Sequence, residues 1–494
     1  MTTDRPVEPR SPDRGIALPI ASRLVCHGCG YVVPMDEPRP FRCPNGKLSD
    51  NVDHVLRRTF YPEIFGSMHD ARTIFLDHEP NPFRRYRSLL YSYEVARGGG
   101  MTDSSYLRIV DRLDAAVEAI DGAGFVETPF AQSRDLAAAI GLEPRALWIK
   151  DETGNVSGSH KARHLMGVMI WIEISRRLGL GAKSAPRLAI ASCGNAALAA
   201  GVIACAAGRP LEAFVPTKAN RRILERLVAL DVELTACARR PDDPPGDPCF
   251  QRFVEAWADG ALPFSCQAKR NGLTIEGGCT LVWEVLSALI QRGIGLDHLV
   301  VQVGGGALAT ACVEGLRNAA TLGLIEKLPS IHTVQTRSVF PIRRAYEAIS
   351  ARLLAGESPK SDAFDVAADA DRARRIRDEV SARDRARVLE HARRHRGEYM
   401  WPWEAPLESI ASGILDDETY DWAAVCEGML ETGGVPLVVD EETLAEAHRL
   451  GREHTAIAAE PTGTAGLAGL LDLQRAGVIG SGETVALLFT GVER

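Results

Sequence analysis

Apolar and polar positions along the chain fall into two alternating patterns. Short apolar runs at 146–150, 188–191, 211–216, 299–303 and 485–490 read as buried strands. Between them lie longer stretches with the apolar spacing of helices packed on a sheet, as at 106–120 and 165–177. Strands separated by helices of this length predict βαβ units and parallel sheet, hence an α/β fold. The first twenty residues, rich in Pro, Arg and Asp, predict a disordered lead-in. Residues 21–60 form a separate unit carrying three of the eleven cysteines. Repeated prolines in PDDPPGDP, 241–248, predict a surface loop. The Arg-, Asp- and Glu-crowded stretch 367–398 predicts a solvated helix laced with i,i+4 ion pairs, the alternative being an anion or partner site.

Composition narrows the class. A chain of 494 residues with 45% apolar and 25% charged positions predicts two or three domains around a real core. With 57 basic against 65 acidic residues, it lacks the basic surface of a general nucleic-acid binder, so no nucleic-acid partner is expected. Eleven sparse cysteines cannot all pair internally, which argues against a disulfide scaffold and for a reducing compartment. The polar start lacks a signal-like apolar region, and the longest apolar stretch, 196–207, is too short to span a bilayer. A cytoplasmic protein without a membrane partner is expected.

Candidate chemistry concentrates at strand–turn–helix junctions. In 150–163, KDETGNVSGSHKAR, a strand end and a small-residue turn lead to Lys161 at the head of an apolar helix. Helix dipole and desolvation both disfavour the charged amine there, which favours nucleophilic chemistry. Ser192-Cys193-Gly194-Asn195 follows one strand and opens an alanine-rich helix, either as a carboxylate pocket or as an ordinary N-cap turn. Gly304-Gly305-Gly306-Ala307 lets backbone N–H groups approach a phosphate, although it is neither a Walker loop nor a full dinucleotide fingerprint. Glu460-Pro-Thr-Gly463 forms another sharp turn, and the last strand ends in Thr490-Gly491.

Taken in order, these motifs resemble the fold-type II family of pyridoxal-phosphate (PLP) enzymes, most nearly threonine synthases and their relatives. The likeness runs from Thr128-Pro129 through Lys161, SCGN, GGG and EPTG to Thr490-Gly491. It implies two open, twisted, mostly parallel sheets flanked by helices. A large PLP-binding domain would comprise 61–157 and 265–494, with a small βαβ domain, 158–264, inserted between. By resemblance, Lys161 is the lysine that holds PLP as a Schiff base and moves protons. Asn195 bonds the cofactor's 3′-oxygen, Gly304, Gly305, Gly306 and Ala307 form the phosphate cup, and Thr490 faces the pyridine nitrogen. Ser159, Ser192, Cys193 and Gly194 would meet a small amino-acid substrate. A homodimer is the family's common state.

The N-terminal unit resembles the zinc-ribbon-like extension of many threonine-synthase relatives. Cys26, Cys29 and Cys43 supply three ligands; Gly46 stands where a fourth cysteine would follow, and His54 is the substitute, ahead of His27. A structural zinc and a metal-free extension are the two readings. The chain also departs from the family. Thr274 and Cys279 stand where an arginine and a lysine are usual, and the arginines of 341–400 could compensate. His160 replaces the usual Phe, and Ala162 the usual Asp. The expected reaction is elimination or replacement at Cβ or Cγ of a small L-amino acid, with O-phosphohomoserine to threonine plus phosphate as the lead case. A serine/threonine ammonia-lyase or another β-replacement enzyme is the alternative, and a non-catalytic PLP-binding protein the remote one.

Overall fold

The computed structural model describes residues 21–47, 50–180, 186–244, 246–354, 364–405 and 407–494. The expected lead-in, 1–20, lies outside the described residues. Twelve strands follow in chain order: β1 Ser22–Cys26, β2 Leu56–Phe60, β3 Phe130–Gln132, β4 Leu147–Asp151, β5 Leu188–Ala191, β6 Leu211–Pro216, β7 Glu233–Cys237, β8 Leu262–Pro263, β9 His298–Gln302, β10 Ser330–Thr336, β11 Pro436–Val439 and β12 Val485–Phe489.

Six of them form the large sheet in the order β11-β10-β9-β12-β4-β3, parallel except for β3. Four form a second, all-parallel sheet, β7-β6-β5-β8. Every residue of β9 and β12 is buried, as expected of strands covered on both faces by helices. The antiparallel pair β1–β2 forms its own two-stranded sheet, with Cys26 at the end of β1 and with Leu24 and Leu56 packed into the main core. The predicted strands are thus present, shifted by a residue at 147–151 and 298–302.

Helices are set by local rules. Asp103–Asp121 is capped by Thr102, whose Oγ1 accepts from Ser105 N–H, and it buries Tyr106, Ile109, Val110, Leu113 and Val117 on one stripe. Helix Lys161–Arg177 is buried almost throughout and crosses helix Thr274–Arg292 at close range. Any Cβ on Gly277 would strike the Arg163 carbonyl, and one on Gly278 the His164 ring. The glycine pair in the 271–280 run therefore permits backbone contact between two helices.

Two expectations change. Residues 367–398 form two helices, Val366–Glu379 and Ala382–Arg394, rather than one solvated rod. Their outer faces carry pairs such as Arg394–Glu390, but Arg393 is buried against Glu427 and Asp369 against Arg343. Proline repetition ends sooner than predicted, because Pro248 opens helix Pro248–Ala258 with Asp247 as its cap. No described helix is long and apolar enough to cross a membrane.

Candidate active site

A cleft of about 940 Å³ opens where the C-terminal ends of β5, β9 and β12 meet. This is the usual place for a ligand in open α/β sheets. The chain enters it after β4 through Ser157 and Gly158, both at positive φ, and reaches Lys161 on the first turn of its helix. Lys161, Ser192, Cys193, Gly194, Asn195, Gly304, Gly305, Gly306, Ala307 and Thr490 all line the cleft. Segments separated by more than three hundred residues converge here in the order the motifs suggested. Ser159 does not line it: the side chain is buried, with its Oγ accepting the Lys161 N–H at 3.4 Å.

Side-chain partners fix several of these groups. Asn195 Nδ2 donates to Glu460 Oε1 at 2.7 Å, while Arg494 Nη1 donates to Asn195 Oδ1 at 2.5 Å. Burial raises the Glu460 carboxyl above its ordinary range, against the Asn195 hydrogen bond. Thr490 Oγ1 meets both the His160 N–H at 3.1 Å and His160 Nδ1 at 2.8 Å. Burial, with the nearby Lys161 charge, holds the His160 imidazole well below its usual range, so the ring is neutral. Burial also pushes the Cys193 thiol up, which keeps it protonated in the turn.

Gly306 has φ 96°, a left-handed turn that aims the head of helix Ala307–Thr321 at the cleft. A segment from elsewhere in the chain closes over this turn. A Cβ on Gly304 would collide with Asp416, one on Gly305 would press on the Tyr420 ring, and one on Gly306 would strike Thr419. Burial lifts the Asp416 carboxyl to about 6, partly offset by the Lys161 charge.

Beneath the lysine lies a buried ion network. Glu284 accepts from Lys150 Nζ at 2.5 Å and Arg163 Nη1 at 2.6 Å, and Glu152 accepts from Arg163 Nε at 2.9 Å. All four side chains are at most 1% exposed. Burial opposes ionisation of Glu284, but Arg163 and Lys150 outweigh it and lower its pKa. Two cations against two carboxylates give neutrality in the interior, and they tie the first turn of the Lys161 helix to β4.

Asp416, Arg494 and Glu284 were not foreseen. Glu284 had a signal, being one carboxylate inside the apolar run LVWEVLSALI. The cleft's cations also come from an unexpected place: Lys218, Arg222, Arg226 and Arg494 join Lys161, against the acids Asp247, Asp416 and Glu460. None of the described residues in 341–400 lines the cleft, so no described arginine of that stretch stands in for a cation at 274 or 279.

In the N-terminal unit, ligand atoms of Cys26, Cys29, Cys43 and His54 lie within 4.8 Å of one another. Cys26 Sγ is 3.4 Å from His54 Nδ1, and Cys29 Sγ 3.6 Å from Cys43 Sγ. A tetrahedral zinc with bonds of about 2.0–2.3 Å needs donors at roughly this spacing. Asp50 Oδ2 holds His54 Nε2 at 3.0 Å, leaving Nδ1 aimed at the cysteines. Against the push of burial, the Tyr31 N–H and the Asn45 amide draw Cys29 down to about 7. His27 turns away, with its Nδ1 3.2 Å from Arg57 Nη1.

The chain is similar to several known proteins. Threonine synthase from Methanosarcina acetivorans is 25% identical over 378 residues, 74% of each chain. That from Methanocaldococcus jannaschii is 20% identical over 365 residues, again 74% of each. Among solved structures, threonine deaminase isoform 2 from Solanum lycopersicum superposes with TM-score 0.52 at 15% identity, covering 80% of this chain and 91% of that one. Diaminopropionate ammonia-lyase from Escherichia coli gives TM-score 0.53 at 14% identity, covering 79% and 89%. At these identities the structures speak for the fold alone. The model of the pyridoxal-phosphate dependent enzyme family matches residues 123–395, more than half of the chain, and the chain belongs to that family.

Proposed function

We propose that this chain eliminates or replaces the β or γ substituent of a small L-amino acid, with conversion of O-phosphohomoserine to threonine and phosphate as the lead reaction. The observation that carries this reading is the placement of Lys161, Asn195, the glycine turn and Thr490 around one cleft with a surplus of cations. The donor set suits the cofactor: an amine, a row of backbone N–H groups that admits no Cβ, and an uncharged hydroxyl at a strand end. PLP, when bound, supplies an electron sink for charge developing at the substrate Cα.

The chain's own residues do the rest. Lys161 would hold the cofactor through its amine, and the same amine is the base placed to move the substrate Cα proton. The 304–307 turn takes the phosphate on backbone N–H groups, and Asn195 orients the ring through its 3′-oxygen. The Ser192–Gly194 turn, at the N-terminus of helix Asn195–Ala206, receives the substrate carboxylate. Lys218, Arg222 and Arg226, on the rim formed by the second sheet, suit a substrate with a further anionic group. In this reading the stretch 158–264 acts as a small domain that closes on the large one, and the cysteine unit holds a structural zinc.

A second reading is an ammonia-lyase or β-replacement enzyme with an uncharged leaving group, since Thr274 and Cys279 bring no cation to the cleft. Both side chains are buried in helix packing away from the cleft. Titrating O-phosphohomoserine into the PLP-loaded protein decides between them. The lead reading predicts a shift of the visible band to longer wavelength together with phosphate release. A spectrum indifferent to O-phosphohomoserine but responsive to serine or threonine refutes it in favour of the second.

A further inference from the structure

His160 stands immediately before Lys161 and is 7% exposed. Two of its hydrogen-bonding groups meet one atom: its backbone N–H and its Nδ1 both lie on Thr490 Oγ1, at 3.1 and 2.8 Å. Its third, Nε2, is buried with no hydrogen-bond partner among the described residues. Thr490 is buried at the end of β12, and both side chains line the cleft.

Counting hydrogens constrains the arrangement. A hydroxyl offers one hydrogen and two lone pairs, and a neutral imidazole carries one hydrogen on either nitrogen. The His160 backbone N–H can only donate, so it occupies one lone pair of Thr490. If the imidazole hydrogen sat on Nε2, it would be a buried unpaired N–H, the rarer kind of orphan. Thr490 would then spend its own hydrogen on Nδ1. With the hydrogen on Nδ1 instead, His160 fills both lone pairs of Thr490. The hydroxyl hydrogen is then left without a protein acceptor and turns to the cleft, where a buried donor requires a partner.

We propose that His160 is a positioning residue that, as its Nδ1–H tautomer, fixes the Thr490 hydroxyl as a pure donor to an unprotonated ring nitrogen of the cofactor. This role rests on the cofactor reading under Proposed function, with Thr490 facing the ring nitrogen as the family resemblance implies. A hydroxyl is too weak an acid to pass its proton to a pyridine, and a neutral imidazole behind it adds no charge. The pair therefore keeps the ring nitrogen hydrogen-bonded but uncharged, which weakens the electron sink and suits chemistry at Cβ or Cγ. A side chain without an N–H to donate at this position could not orient the hydroxyl in this way.

The test compares two ligands, PLP and a carbocyclic analogue with C–H in place of the ring nitrogen, titrated into wild type, His160→Phe, His160→Asn and Thr490→Val. Fluorescence and visible absorbance give the dissociation constants. His160→Phe is expected to weaken PLP about 3- to 10-fold, the scale of one neutral hydrogen bond, and to leave the analogue unchanged. His160→Asn, whose amide can donate in place of Nδ1–H, restores most of the loss. In the Thr490→Val background His160→Phe has no further effect. Equal weakening of both ligands, or of neither, overturns the proposal as a merely structural role or none. A wild-type chain that forms no covalent PLP adduct at Lys161 overturns the cofactor reading itself, and this role with it.

Discussion

Asp416 makes cofactor binding depend on pH in a direction that can be worked out. Its carboxylate lies against Gly304 in the turn that the phosphate must occupy, and burial raises its pKa to about 6. A phosphate beside an ionised carboxylate is repelled at short range; beside the protonated acid it is not. The binding-competent fraction is then the protonated one: about one half at pH 6, a tenth at pH 7 and a hundredth at pH 8, for a pKa of about 6. The sign follows from the raised pKa, since competence is full below it and lost as pH rises through it. Between pH 6 and pH 8 the apparent dissociation constant should weaken by about fiftyfold from this group alone. Titrations of the ligand's own groups, its phosphate among them, overlap this window, so the ratio of wild type to Asp416→Asn is the quantity to measure. Both proteins share those other titrations, and the ratio cancels them. PLP titrations followed by fluorescence at each pH supply it. The ratio should climb about fiftyfold between pH 6 and pH 8, from about 2 to about 100, with Asp416→Asn the tighter binder. A ratio that stays flat from pH 6 to pH 8 refutes the placement of the phosphate at this turn beside Asp416.

The buried network under Lys161 predicts a large stability effect. Glu284→Ala strands Lys150 in the interior and leaves Arg163 with Glu152 alone, and it should cost about 3–5 kcal/mol in chemical denaturation; a loss under about 1 kcal/mol would show that water reaches these groups. Zinc is expected at one ion per chain, measured by elemental analysis. Cys43→Ser should remove it and lower the melting temperature of the chain while leaving PLP uptake intact. On the cleft rim, Arg222→Ala should raise KM for an anionic substrate about tenfold with little change in kcat, and an unchanged KM would place the anionic group elsewhere.

The central strands and the order of the motifs were legible because each is a local signal: a continuous apolar run, a small-residue turn, then a helix. β10 was not singled out, since SIHTVQT looks polar. Its His332, Thr333, Gln335 and Thr336 are nonetheless buried. His332 is paired with His298, and the Gln335 amide bonds the Val303 carbonyl. Such burial becomes visible only when the partners are known. The same holds for 367–398, where charge density suggested a solvated helix but Arg393 finds Glu427 in the interior. Asp416 reaches the glycine turn from more than a hundred residues away, and no spacing rule connects them. In the cysteine unit all four candidate ligands were legible, His54 ahead of His27, and the Asp50 contact and the turning of His27 to Arg57 supply the physical reason.

The central claim, that the cleft holds PLP on Lys161, is tested most directly by chemistry. The purified, PLP-loaded protein is reduced with borohydride, digested and mapped by mass spectrometry. A phosphopyridoxyl group on the peptide bearing Lys161, absent from Lys161→Ala, is the predicted result. A stable adduct on Lys218 or another lysine, or an unaltered adduct in Lys161→Ala, would contradict it.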